Sequence, residues 1–539
     1  MGLRPDARVP SVPGRPPHPT EVAAAGAATL LLLAAIAAGP PQLKMQFWDD
    51  AYMFARYADN LRTTGRLTWN PGGPPTYGPT SVFYTIFAVL PVRLAIPGNV
   101  SAALVASSAL CMGLFVTLAL WFAWRSAARR PRAQRWTLFF LVSAALLGAR
   151  GHLHEHATSG MDTAFAMSYL MAYLIAAGRY ERAASLSSGA FLGVLGGLAM
   201  GVRPDLMLFT LSVPGAIFVA SPVRERKSAL VPLAVTAGVC LAWLAASRLY
   251  FGSALPLSFY AKATHLYRDF NEARFAPVPC SQLKSFCLAN CILLVVLAAS
   301  IAVRVRNRRV AIPPIRAGAM AGAAAFSIYY TTSVLQIMYH AARFYYPVLP
   351  ALVYVCIGEA RGLLRCANGR RWASASLVWL TVLSVALLPP LREMGRPLDG
   401  VASLDVWESA RTLYRRRWFA LEAFSHLPDA VAIATTEVGH AAAMNPGKTI
   451  VDYAGLNDAA FARQPFSADR LVARHCDVVY LPHPDYRGMV ADLLSNAAFR
   501  EEYELHSSQE LHALLGVAIR RKSASYDAMA RILAMTEKE

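Results

Sequence analysis

The chain has 539 residues, 55% of them hydrophobic and 16% charged, with a formal net charge of +19 and a mean hydropathy of +0.36. That apolar content exceeds what a soluble core needs and falls in runs of about 17 to 24 residues, the length of a membrane-spanning helix. A soluble enzyme is excluded, and the Lys and Arg residues between the runs read as cytoplasmic loops rather than as a polyanion-binding surface.

Residues 1–20 are rich in Pro, Gly and Arg without apolar periodicity and read as a disordered cytoplasmic tail. Residues 22–41 form a first span. No convincing cleavage site precedes the next acidic residues and many spans follow, so a retained helix is expected rather than a signal peptide. The basic tail puts the N-terminus inside and the loop 42–100 outside. Within that loop, FWDDAYMFARYADNLRTTGRLTWNPGGPPTYGPT (47–80) sets Asp49 and Asp50 at the membrane surface. Adjacent acids there are costly, which argues for function. The same pair also suits a plain helix start, where Asp accepts backbone N–H bonds and faces the positive end of the helix dipole.

Residues 80–97 are short for a span, contain Pro91 and Arg93, and precede the stronger run 101–124. If both crossed, the basic loop 125–135 would lie outside, so 80–97 reads as a juxtamembrane or re-entrant helix. Further spans are expected at 136–150, 161–178, 187–202, 205–221, 229–247, 286–303, 317–335, 344–360 and 372–389. This arrangement places every basic loop inside and gives about eleven spans, a polytopic α-helical membrane protein whose transmembrane domain covers 21–389. From 390 to 539, strand-length apolar runs (VAIATT, TIVDYAGL, DVVYLP, LLGVAIRR) alternate with helix-like stretches (SADRLVARH, YRGMVADLLS), predicting a small extracytoplasmic α/β domain. The eight cysteines show no zinc-type spacing, and several sit in apolar runs as small hydrophobes. Cys280 and Cys287 are the one pair to test for a disulfide.

The outer segments gather the chemistry: Asp49, Asp50, Asp162 and Asp205 as acids, Arg203, Lys262 and Arg343 as cations, with His340, Tyr345 and Tyr346 close in sequence. A carboxylate in reach of a hydroxyl can take its proton while Arg or Lys neutralises a phosphate leaving group. At a sugar carbon that is a direct displacement with an oxocarbenium-like transition state, as in inverting glycoside chemistry. The cluster His152, His154, Glu155, His156 reads as a short solvated outer loop, and Asp452 as a strand-edge or turn group.

These residues carry a resemblance. DDAYMFARYADNLRTTGRLTWNPG is similar to the first outer loop of bacterial GT-C superfamily glycosyltransferases, which use polyprenyl-phosphate sugars, and most resembles mycobacterial-type terminal arabinofuranosyltransferases and their relatives. In order, SGMDT (159–163) resembles an SGLET-type loop, GVRPD (201–205) an RPE/RPD corner, YFGSALPLSFYAK (250–262) a YYG-LLPNSF-AK loop, ARFYYPVLP (342–350) an R-F-x-x-P-x-P helix start, and VDYAGLND (451–458) a VID-x-x-GL-D strand. Met161-Asp162 replaces the commoner Leu-Glu, and Tyr77-Gly78-Pro79 the usual Gly-Tyr-Thr with its preceding acid.

The resemblance implies a catalytic base at Asp49, with Asp50 the next candidate. Lys262, Arg343 and Arg203 are the choices for donor phosphate, and Tyr52, Arg56, Tyr77, Asp162, His340 and Tyr345 for substrate contact. It also implies a multi-pass protein of the inner (plasma) membrane, a glycan or glycolipid acceptor, and no cofactor or metal. A transporter would favour inverted repeats and mid-membrane polar residues. A non-catalytic lipid-linked-glycan binding or assembly protein would keep the cations and dispense with Asp49.

Overall fold

The computed structural model describes residues 18–38, 49–128, 131–263, 276–306, 312–336, 340–366, 423–482, 486–506 and 516–536. The expected span 372–389, the boundary at 390 and nearly all of the N-terminal tail lie outside the described residues. Helices stand at every other expected span: α1 (Pro19–Ala38), α4 (Val100–Ser126), α5 (Arg132–Gly148), α7 (Thr163–Arg182), α8 (Leu186–Val202), α9 (Met207–Ala220), α10 (Arg226–Phe251), α13 (Cys291–Arg306), α14 (Pro314–Thr332) and α15 (Leu349–Cys366). Among the described residues, four helical stretches are long and apolar enough to cross a membrane, and up to six are if each of two bent pairs counts as one.

The bent pairs add two short helices. α6 (Arg150–Thr158) turns 70° from α5, and α12 (Val278–Ala289) turns 79° into α13. α6 contains the His-rich stretch read above as a solvated loop; it is instead a helix with His154 and His156 buried. Cys280 and Cys287 lie seven residues apart on α12, about 10 Å along a helix, too far for a disulfide, and both are free thiols.

Large apolar side chains such as Leu30, Leu110, Val219 and Leu241 point outward, as lipid-facing residues do. Between helices the contacts rest on small residues. A β-carbon at Gly193 or Gly197 of α8 would come within 2.6 Å of Val235 or 2.4 Å of Val239 on α10, so the bare backbone of α8 packs directly on these valines. Elsewhere Glu359 of α15 binds Ser300 and Arg304 of α13 and Arg316 of α14, fastening three helices with one carboxylate.

In the first loop α2 (Asp49–Thr64) precedes α3 (Val82–Ala95), whose 14 residues are short for a crossing and include a π-helical turn at Thr85–Val89. Phe87 and Leu94 of α3 are exposed, while Arg93 turns inward to pair with Asp59 of α2 at 2.9 Å.

The C-terminal part carries a five-stranded sheet of order β2-β1-β3-β5-β4, from β1 (Ile433–Thr435), β2 (Ile450–Asp452), β3 (Val478–Tyr480), β4 (Tyr503–His506) and β5 (Val517–Arg520). β2, β1 and β3 are parallel, and β5 and β4 antiparallel. α16 (Val438–Met444) follows β1, α17 (Arg487–Ser495) follows β3, and α18 (Tyr526–Thr536) ends the described chain. The free edge of β2 is covered by the first loop: Asn70 donates to the Ile450 carbonyl at 3.1 Å and accepts from its N–H at 2.9 Å, as a strand would.

Candidate active site

α2 starts on two acids, placed against the positive end of its dipole. Helical geometry turns successive side chains about 100° apart, so Asp49 and Asp50 diverge. Asp49 points to the C-terminal sheet and accepts backbone N–H bonds from Gly439 at 2.9 Å and His440 at 2.7 Å. Burial, and next the charge of Glu437, push its carboxyl up to about 7. Asp50 points instead to Arg343, 3.3 Å from its guanidinium.

Arg343 follows a 3-10 turn, His340–Ala342, in which Ala341 and Ala342 adopt φ of 51° and 53°. Left-handed backbone at two alanines is strained, and such strain concentrates at functional sites. Glutamine 282 accepts the Ala342 N–H at 3.0 Å, and His156 of α6 meets the Ala341 carbonyl at 3.2 Å, so the turn is held from two sides. Lys262 arrives from a different element, α11 (Leu257–Ala263). The guanidinium of Arg343 lies 4.8 Å and the ammonium of Lys262 6.0 Å from the centre of the same ring, Phe344. Lys262 makes no ion pair among the described residues, and its side chain is accessible although protein encloses it. Desolvation, and then the charge of Arg343, lower its ammonium to about 8. The two cations share one ring, with Asp50 beside Arg343 and the charge of Asp205 also acting on Lys262.

Arg203, expected with them, is already neutralised. It grips Asp205 through Nη2 at 2.6 Å and Nε at 3.2 Å, lies 3.6 Å from Asp162, and donates to Tyr330, whose hydroxyl bonds Asp205 in turn. Asp162 is buried in this group and accepts from Thr80.

Other expected contacts serve packing. Arg56 is donor-saturated by the carbonyls of Trp69, Ala442, Asn445, Pro446 and Lys448 and the side chain of Asn70, at 2.7 to 3.4 Å, leaving no N–H for a substrate. Tyr77 is buried, stacks on Phe251 and accepts from Trp243 at 3.2 Å. The Tyr345 hydroxyl bonds Thr331, Gln336 and the Pro279 carbonyl. Tyr52 bonds Ser101 at 2.8 Å and meets the His440 ring edge-on at 5.5 Å, which keeps it beside Asp49. His340 lies three residues before Arg343, its imidazole lowered to about 4 by burial and by Arg343. Among the described residues no three His, Cys, Asp or Glu side chains gather as a metal would need.

Sequence reasoning missed Phe344, Glu437, Gly439 and His440. The last three lie some 390 positions from Asp49, and no periodicity in either segment signals the meeting.

No protein-family model matches the chain, and no curated protein matches it. Among solved structures, the crystal structure of ArnT from Cupriavidus metallidurans bound to undecaprenyl phosphate aligns with TM-score 0.53, over 94% of this chain and 98% of that one, at 14% identity. The two chains share a fold. At 14% identity the likeness is one of fold. The arabinofuranosyltransferase subtype is a finer matter, on which a likeness of fold has no bearing.

Proposed function

We propose that the chain is a membrane glycosyltransferase that moves a sugar from a polyprenyl-phosphate donor to a hydroxyl of a cell-envelope glycan or glycolipid on the outer face of the inner membrane. The observation that carries this reading is the pair Lys262 and Arg343 on one ring, with Asp50 3.3 Å from the Arg343 guanidinium, in a fold shared with a protein whose crystal structure holds undecaprenyl phosphate.

Lys262 and Arg343 take the donor phosphate. Asp50, paired with Arg343, stands on the phosphate side. Asp49 faces away from the cations, toward the sheet, which is the side from which an acceptor must approach for in-line displacement. As the acceptor oxygen bonds to the anomeric carbon, Asp49 takes its proton. The bond from that carbon to the phosphate oxygen breaks, and the electron pair leaves on the phosphate, where the two cations neutralise it. The anomeric configuration inverts. Two of the lone-pair sites of Asp49 are used by backbone amides, and a carboxylate has about four.

The test uses purified full-length protein in lipid, a radiolabelled polyprenyl-phosphate sugar and an acceptor glycan. Asp49→Asn is expected to abolish transfer while leaving donor binding intact. Asp50→Asn is expected to weaken donor binding first. Unchanged transfer by Asp49→Asn would overturn the assignment of the base, and donor binding without transfer by the unaltered protein would favour a non-catalytic binding protein.

A further inference from the structure

Side chains of α2 grip α16 at both of its ends. Asp49 takes the two N–H groups at the start of α16, and Arg56, seven positions on, takes the carbonyls of Ala442, Asn445 and Pro446 at its close. Seven residues rise about 10 Å, so the spacing of the two side chains matches the seven-residue length of α16. An acid at the N-terminal end and a base at the C-terminal end each complement the dipole and satisfy groups that a helix leaves unpaired. The approach is close: a β-carbon at Gly439 would stand 1.8 Å from the carbonyl oxygen of Asp49 and 3.2 Å from its carboxylate.

From this geometry we infer that α16 of the C-terminal part is a positioning element of the transfer site, holding the carboxylate of Asp49 at the acceptor side through the backbone amides of Gly439 and His440, with Arg56 fixing the far end of the helix. The inference rests on the proposed transferase reading. It assigns Gly439 and Arg56 to positioning, and Glu437 to tuning, of a base that belongs to a different segment of the chain. The charged and titratable groups around Asp49 are Glu437 and His440 from the sheet side, and Asp50 with its partner Arg343 on the other.

Two variants test it in the transfer assay, with kcat, donor KM and the pH profile of kcat measured for each. Gly439→Ala must push α16 from Asp49. The expected result is a loss in kcat on the order of a hundredfold, the cost of a displacement of about 1 Å, with donor KM within twofold of the unaltered enzyme. Glu437→Gln keeps shape and removes a charge. Asp49 then ionises more readily, and the acidic limb of the profile moves to lower pH with kcat at high pH retained. A folded Gly439→Ala enzyme with unaltered kcat overturns the inference. Should Gly439→Ala fail to fold, Glu437→Gln decides, since an unmoved acidic limb overturns it equally. Absence of transfer by the unaltered enzyme strikes the transferase reading instead, so the two failures are distinct.

Discussion

Asp49 carries opposing demands. Burial and Glu437 favour its neutral form, and the two amides favour the charged one, leaving it close to neutrality at about 7. A general base must be ionised, so turnover should rise with pH through about 7 and fall about tenfold per pH unit below it. Lys262 must be charged to hold phosphate, and donor capture by the free enzyme should weaken above about 8. The expected kcat/KM profile is therefore a narrow bell, and pH titration of initial rates checks both limbs. A flat profile from pH 5 to 7 would show that Asp49 is not the proton acceptor.

Asp452 shows the same chemistry with a structural outcome. It is fully buried at the end of β2, and Oδ2 accepts from the backbone and side-chain amides of Asn457 at 2.7 and 2.9 Å. Burial pushes its carboxyl up to about 7. With the folded value above the unfolded one, its contribution to stability is present in full at low pH and is lost as pH rises toward 7 and beyond. Asp452→Asn removes the charge and is expected to raise stability at pH 8 by at most about 4 kcal/mol, seen as a higher Tm, and to give no gain at pH 4. Equal Tm at pH 8 would refute this account.

At the scale of elements, hydrophobic periodicity was a dependable guide because a lipid-facing helix and a strand in a parallel sheet both announce themselves by length. VAIATT, TIVDYAGL, DVVYLP and LLGVAIRR hold β1, β2, β3 and β5. β4, YELH, buries only Tyr503 and carries two polar residues, so its apolar signal is too thin to stand out. Helix α6 was hidden for a related reason: His and Glu read as solvated, yet His152 and His156 pack on the Tyr346 ring at 5.5 and 4.5 Å. The acids, Lys262 and Arg343 were legible because few charged residues occur near the expected outer surface. Arg56 and Arg203 read in the sequence as substrate and donor contacts, and their saturation was not legible, since carbonyls and acids brought by folding leave no local mark. Helix contact also makes a prediction. Gly197→Leu must wedge α8 from α10, and overpacking is expected to cost about 3 kcal/mol, seen as a lower Tm in detergent. An unchanged Tm would mean that the two helices are not held at this distance.

For the whole molecule, the membrane part and the sheet are stitched through the first loop rather than merely adjacent. Trp69 donates to the Ile450 carbonyl at 2.8 Å, Asn70 closes the edge of β2, and Tyr57 donates to Asn457 at 3.0 Å. Helix α2 belongs to the membrane part by position in the chain and to the sheet by what it touches.

The grip on Asp49 comes from main-chain amides, and this affects how the protein responds to mutation. An alanine scan across α16 would leave the His440 amide in place at every position, and only at 439 would it add an atom where none fits. Side-chain truncation would thus report the segment as dispensable while it was still in use. Drift along these residues is similarly cheap, provided that one position stays without a side chain, so the segment can diverge widely in sequence while keeping its hold.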